Sequence, residues 1–290
     1  MIADRWSLDA FLFSRVDARA AAWYRLAFAA AIPFFFWSRD FTAPQWASGQ
    51  TAWIYEHVLM APGYILLVAG LCTLLALGWN SRAIAFLLVV VLAPLDWLDV
   101  GRQSRQVLLS ALLSFSFVRS DTIRFPWTSD SRAENDAGPA WPIRLIQLQL
   151  TILYGVNAIA KSSPYYLRGD ALMDMSAELA NFRVDLSSGA LQVGMLAVPV
   201  AILGTAGALM EYFLATAFWV RRLRWVAAIS GIVFHIVLTR IVSIFMLDYA
   251  AIFLYLAFLL PLIKPASSAP DRNSRPLSGR HQGLQAPREA

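Results

Sequence analysis

Uncharged tracts long enough to cross a bilayer are the feature that most restricts how this chain can fold. Residues 62–79 contain no charged side chain, and neither do residues 186–210. About 20 apolar residues in a helix span a hydrocarbon core about 30 Å thick. Charged residues make up only 15% of the chain, against about 25% in an ordinary soluble domain. We therefore expect an all-α integral membrane protein, built as a bundle of transmembrane helices.

Apolar tracts bounded by polar or turn-forming residues predict about eight spans. They are residues 20–37, 62–79, 83–98, 105–118, 142–160, 191–220, 225–238 and 244–263. The count is seven to nine, because the tract at 191–220 is too long for one ordinary helix and contains Pro199, Gly204 and Gly207, which allow a kink or a break.

Two further segments have a different character. Residues 169–182 mix apolar and acidic side chains at helical spacing, which predicts an amphipathic helix on the membrane surface. Residues 265–290 are rich in Pro, Ser, Gly and Arg, a composition typical of disorder. The expected organisation is a membrane domain over residues 1–264 followed by a disordered basic tail.

The distribution of arginine predicts the orientation. If the N-terminus is cytoplasmic and eight helices alternate, most of the 24 Lys and Arg residues fall on the inner side, with the Arg-rich stretch at 221–224 as the strongest anchor. This agrees with the positive-inside rule. We therefore expect a protein of the inner (cytoplasmic) membrane with both termini in the cytoplasm.

Composition argues against several classes of function. The single cysteine, Cys72, cannot form an intrachain disulfide or a thiolate metal site, and the three histidines are widely scattered, so no metal is expected. The pI of about 9.6 reflects arginine in the loops of a membrane protein and gives little support to nucleic-acid binding.

Ionisable and amide side chains inside the apolar tracts are the candidates for function, because burying them in lipid is costly. They are Arg25, Gln147, Gln149, Asn157, Lys161, Glu211, His235, Arg240 and Asp248. In the fifth tract, the side chains of Gln147, Tyr154, Asn157 and Lys161 fall within a narrow arc at 100° per residue. This polar stripe is expected to face the interior of the bundle.

Each of these residues also has a structural interpretation. Lys161 ends its tract, where a lysine often reaches back to water and only anchors the helix. Arg25 and Glu211 could be an ion pair between helices, and a lone histidine such as His235 is often only a hydrogen-bonded helix contact.

Five stretches, taken in order, resemble one known family. They are VDARAAAWYRLAFA from Val16, LGWNSRAIAFLL from Leu77, ILYGVNAIAKSSPYYLRGDAL from Ile152, GALMEYFLATAFWVRRLRW from Gly207 and GIVFHIVLTRIVSIFMLDY from Gly231. From about residue 16 to residue 258, the chain is similar to HTTM domain proteins, the bacterial relatives of the membrane domain of the vitamin K-dependent gamma-carboxylase.

The resemblance implies an activity and a set of site residues. Lys161 takes the place of a lysine base that acts on a reduced, vitamin K-like quinone, with O2 and CO2 as co-substrates and a small secreted peptide as acceptor. His235 is the second catalytic candidate. Tyr154, Asn157 and Gln147 are the candidate cofactor contacts, and Arg25, Glu211 and Asp17 are the candidate supporting charges.

One departure from the family weakens this expectation. A histidine thought to assist the lysine of the carboxylase is replaced near Ser104. A non-enzymatic membrane module that binds or escorts a lipophilic ligand or a small peptide therefore stays an alternative. A transporter is a third, although the polar residues are sparse for a continuous path.

Overall fold

Helices dominate the structure, a computed structural model that describes residues 8–37, 61–98, 103–121, 136–178, 184–193, 195–241 and 245–260. The elements, in chain order, are α1 (Leu8–Phe13), β1 (Arg15–Asp17), α2 (Ala18–Trp37), α3 (Pro62–Leu77), α4 (Ser81–Leu98), α5 (Gln103–Phe115), β2 (Asp136–Pro139), α6 (Trp141–Lys161), α7 (Pro164–Leu167), α8 (Asp170–Glu178), β3 (Ala190–Val193), β4 (Leu196–Pro199), α9 (Val200–Ala217), α10 (Arg224–Ile241), α11 (Phe245–Leu254) and α12 (Leu256–Leu259).

The prediction of a mostly helical membrane protein is confirmed. Among the described residues, α6, α9 and α10 are long and apolar enough to cross a bilayer, and four shorter apolar helices accompany them. Each of the eight predicted tracts holds a helix, while the number of membrane crossings stays a prediction. The tail predicted to be disordered lies outside the described residues.

Local sequence explains where these helices begin and end. Proline occupies the first turn of α3, where a backbone N–H has no helical partner in any case. The same helix ends at Gly78, whose φ of 73° is left-handed and suits glycine. The Asp17 carboxylate accepts a hydrogen bond from the Ala20 N–H at 2.9 Å and so caps the start of α2.

Short strands are the main departure from the expected all-helical architecture. β1 pairs antiparallel with β2, and β3 pairs antiparallel with β4. The tract at 191–220 is therefore a hairpin followed by one helix, α9, rather than a kinked pair of helices. Pro199 at the N-cap of α9 separates the two, because its ring fixes φ and it has no N–H to offer to a preceding helical turn.

The helix pair α6 and α9 forms one wall of the bundle. Two contacts fix their antiparallel register: the Trp219 indole donates to the Thr151 hydroxyl at 2.8 Å, and the Ser162 and Tyr212 hydroxyls lie 3.1 Å apart. On the other side, the rings of Tyr24, Phe28, Phe115 and Phe253 pack together. The centre of the bundle is therefore apolar and aromatic.

Candidate functional site

The polar stripe on α6 faces inward, as the helical period requires. Gln147 and Tyr154 are buried, with 3% and 2% of their surface exposed, whereas Asn157 and Lys161 are only half-buried. The same face of α6 is therefore buried at Gln147 and Tyr154 and partly exposed at Asn157 and Lys161.

An ion pair occupies the partly open end. The Lys161 Nζ donates to the Glu211 Oε1 at 2.6 Å, and the two side chains are 25% and 4% exposed. The second carboxylate oxygen of Glu211, Oε2, is buried and has no hydrogen-bond partner in the described part of the chain. A buried acceptor without a partner costs about 1–3 kcal/mol, so this oxygen marks where a donor from a ligand would be stabilised.

A break in the helical path follows directly after Lys161. The helix α6 stops at Lys161 because Pro164 cannot continue it, and Ser163 before the proline is extended, with φ −64° and ψ 143°. The chain then runs on along α9. Glu211 lies 11 residues after the start of α9 at Val200, or about 16 Å along its axis.

Glycine on α9 allows this close approach. A Cβ on Gly204 would lie 2.5 Å from the backbone carbonyl oxygen of Tyr166 in α7. The α7 segment therefore packs directly on the first half of α9.

Below the ion pair, a hydrogen-bonded layer of ring side chains closes the bundle. The Tyr154 hydroxyl lies 2.6 Å from the His235 Nε2 and 2.5 Å from the Tyr255 hydroxyl. All three residues are buried. Gly231 makes room for the layer, because a Cβ there would lie 2.4 Å from the Tyr255 hydroxyl.

Above this layer, the inward faces of the helices are partly exposed. Asn157 on α6, Gly207 on α9 and Leu238 on α10 are half-buried, although each lies on the same side of its helix as a buried neighbour. Apart from its own helix, no heavy atom of the described residues lies within 4 Å of the position that a Cβ on Gly207 would take. These half-buried positions lie within four residues along their helices of Lys161, Glu211 and His235, respectively.

Three of the predicted residues lie elsewhere. Asp17 caps α2, and the Gln147 amide donates to the Ala257 carbonyl at 2.7 Å, where α6 meets α12. The Arg25 guanidinium donates to the backbone carbonyls of Ser120 and Ala76. The structure therefore brings together Lys161, Glu211, His235 and Tyr154 with Asn157 nearby, and it separates Asp17, Arg25 and Gln147 from them.

Sequence reasoning missed one member of the buried layer. Tyr255 lies in the last apolar tract, where a tyrosine is an ordinary amphipathic residue and gives no signal of its own. In the structure it lies at helical spacing from Ala251 and Phe258, which are also buried. No group of three or more His, Cys, Asp or Glu side chains that could hold a metal is found among the residues with described positions.

Comparison with known proteins gives one match. A family model described as HTTM domain matches residues 51–261, which include the lysine, glutamate and histidine of the site. Neither the curated proteins nor the solved structures include a significant match to the chain.

Proposed function

The chain belongs to the HTTM domain family, and from that premise we propose that it is a membrane-embedded enzyme of the vitamin K-dependent gamma-carboxylase-like class. Its base is Lys161, and its substrate is a peptide or another lipophilic acceptor. We further propose that it lies in the inner membrane with both termini cytoplasmic, and that a small secreted peptide is its partner.

The observation that supports this proposal is the Lys161–Glu211 contact at 2.6 Å, in which the Lys161 side chain is three-quarters buried. Lys161 can accept a proton only as the neutral amine, so its own proton must first move to Glu211. The hydrogen bond between the two groups gives that proton a direct path. The two residues then act as one unit: Glu211 holds the proton while the neutral Nζ takes a new one.

The residues around the Lys161–Glu211 pair fit a reduced quinone. Lys161 and Asn157 would hold it from α6, and the unpaired Glu211 oxygen would accept a hydrogen bond from a hydroxyl group. His235, through Tyr154, would keep the floor of the site polar and fixed. When bound, the reduced quinone supplies an acidic hydroxyl and the electrons that activate O2, and CO2 supplies the carboxyl group.

One observation favours the non-enzymatic alternative, a module that binds a lipophilic ligand. The amine of Lys161 already has a full ionic partner, which is also what a purely structural pair between two transmembrane helices looks like.

Replacing Lys161 distinguishes the two. We expect Lys161→Met in nanodiscs to lower the O2-dependent consumption of a reduced menaquinone by about 10²–10⁴-fold, the usual contribution of a general base. Lys161→Arg keeps the charge and the ion pair but cannot act as a base, so we expect it to be equally inactive.

The matched control is Lys264→Met, since Lys264 is the only other lysine in the chain; it should keep wild-type turnover. Recovery of the activity in Lys161→Arg would show that only the charge matters and would favour the structural alternative.

A further inference from the structure

We propose that Arg144 and Arg224 bind the headgroup phosphate of an anionic phospholipid, at the end of the bundle where α6 and α10 begin. This inference is independent of the proposed function, because Lys161 lies at the other end of α6, 20 residues after Trp141. It assigns a ligand to positive charges that the proposed function does not use.

A series of aromatic contacts links the two arginines. The central carbon of the Arg144 guanidinium lies 4.3 Å from the centroid of the Phe11 ring of α1. The centroid of that ring is 5.9 Å from the centroid of the Trp219 ring, in the turn between α9 and α10. The Arg224 Nε donates to the carbonyl oxygen of the neighbouring Phe218 at 3.1 Å. The two guanidinium groups are therefore connected through one pair of packed rings.

Among the described residues, neither arginine has a carboxylate partner. The Arg144 Nε donates to the Phe11 carbonyl oxygen at 3.3 Å, and its Nη1 donates to the Gln147 Oε1 at 2.9 Å. Arg224 donates only to the Phe218 carbonyl within the described part of the chain. All of these acceptors are neutral, so both positive charges are left without a counter-charge from the protein that the structure describes.

The surroundings of the two arginines favour an anion. Both side chains are half-buried, and the exposed Arg221 and Arg222 in the same turn add two more positive charges. A cation that is partly removed from water is stabilised by a nearby negative charge. The Nη2 of Arg144 and both Nη atoms of Arg224 have no acceptor among the described residues. These N–H groups suit phosphate, whose oxygens accept from the planar guanidinium in pairs.

The neighbouring surface is apolar, which indicates that the phosphate belongs to a lipid. Leu145 follows Arg144 and is 45% exposed, and Trp225 follows Arg224 and is 65% exposed. Both helices are long and apolar enough to cross a bilayer, and basic sites between such helices bind anionic headgroups at the membrane face. A phospholipid contacts the arginines with its phosphate and these apolar side chains with its acyl chains. A free phosphate or a soluble acidic peptide cannot do both.

Lipid retention by the full-length protein in detergent tests the site. The protein is titrated with phosphatidylglycerol or with zwitterionic phosphatidylcholine, and native mass spectrometry counts the bound lipids. We expect the wild type to bind one phosphatidylglycerol in preference to phosphatidylcholine. Because one arginine near an anionic lipid contributes about fivefold in affinity, Arg144→Gln and Arg224→Gln should each weaken this binding about fivefold. The double variant should weaken it about 25-fold, if the two effects add.

The matched control is Arg240→Gln, which removes the same charge from an exposed residue near the other end of α10; its affinity should equal that of the wild type. An equal loss in Arg240→Gln would mean that only the total charge matters, and it would overturn the site. So would a wild type without the preference, or wild-type affinity in the folded variants of Arg144 and Arg224. If Arg144→Gln is not recovered as folded protein, Arg224→Gln decides.

Two further arms identify the source of the phosphate and separate this site from the proposed function. Inorganic phosphate or oligoglutamate in hundredfold excess should leave phosphatidylglycerol bound, and displacement by either would contradict a lipid site. Lys161→Met should keep the wild-type lipid preference even where it loses turnover. Failure of the lipid site therefore leaves the proposed function standing, and the loss of turnover in Lys161→Met does not depend on the lipid.

Discussion

Single residues decide what the partly buried amine can do. Lys161 has its charge balanced by Glu211 at 2.6 Å, and Glu211 is itself almost completely buried. Neither charge is stable alone in an apolar interior, so the two residues contribute to the free energy of unfolding as a pair. The same coupling that stabilises the fold also gives the proton a second place to reside.

This coupling predicts the effect of removing one partner. Glu211→Gln leaves the Lys161 charge without its carboxylate, and we expect a loss of about 3–5 kcal/mol, the usual cost of breaking a buried pair. The double variant Lys161→Met/Glu211→Gln should be more stable than Glu211→Gln alone. Unfolding in detergent measures both.

The exposed pair Arg168–Asp170, with side chains 69% and 36% exposed, provides the comparison. Asp170→Asn should cost less than about 1 kcal/mol, as surface ion pairs usually do. If Glu211→Gln were equally mild, the Lys161–Glu211 pair would contribute little to stability.

The hydrogen-bonded layer predicts the cost of losing the Tyr154 hydroxyl. Tyr154→Phe removes the bonds to both His235 and Tyr255. At about 1 kcal/mol for each bond, we expect a loss of about 2 kcal/mol by thermal unfolding. A neutral Tyr154→Phe would mean that these bonds contribute nothing to stability.

At the scale of elements, the interruption between α6 and α7 is what places polar groups within the bundle. An uninterrupted α6 would carry Lys161 in mid-helix, and its backbone would be fully paired. Instead, Ser163 and Pro164 end the helix, and α7 packs on α9 at Gly204.

Two glycines on α9 give a matched test of this packing. Gly204→Ala places a Cβ about as close as 2.5 Å to the Tyr166 carbonyl oxygen, and we expect it to destabilise the protein by about 1–3 kcal/mol, as overpacking does.

Gly207→Ala meets no neighbouring atom within 4 Å, so it should be neutral or stabilising by up to about 1 kcal/mol from helix propensity. Thermal unfolding of both variants measures the contrast. Equal effects would show that α7 does not rest on α9.

At the scale of the whole molecule, the polar clusters lie toward opposite ends of the bundle. The pairing of β1 with β2 brings the start of α2 and the start of α6 together. Lys161 ends α6, 20 residues after Trp141, or about 30 Å away. Arg25 is eight residues after Asp17, only about 12 Å along α2. Arg25 thus joins α2 to the ends of α3 and α5, far from the site.

Arg25 should therefore matter for stability and not for ligand binding. Arg25 is completely buried, and Arg25→Met leaves the Ser120 and Ala76 carbonyls without these donors. We expect a loss of about 2–6 kcal/mol, since each buried acceptor left without a partner costs about 1–3 kcal/mol. The protein that remains folded should consume reduced menaquinone at the wild-type rate, and a slower rate would contradict this separation.

The sequence by itself determined the membrane character, the helical content and the inward polar face of α6. These depend on composition and on a period of 3.6 residues, both of which are local properties. It did not determine the hairpin before α9. An uncharged apolar tract is compatible with a helix or with a pair of strands, and only the structure shows that Pro199 caps the helix.

Only the tertiary structure decided which charges meet. Glu211 pairs with Lys161, Arg25 donates to backbone carbonyls near the other end, and Tyr255 joins Tyr154 and His235. Such partners depend on how neighbouring helices are rotated and shifted against each other, and contacts between residues far apart in the chain set that register. The position of Lys161 beside Glu211 on α9 has the same origin, since one helix alone carries no information about its height relative to another.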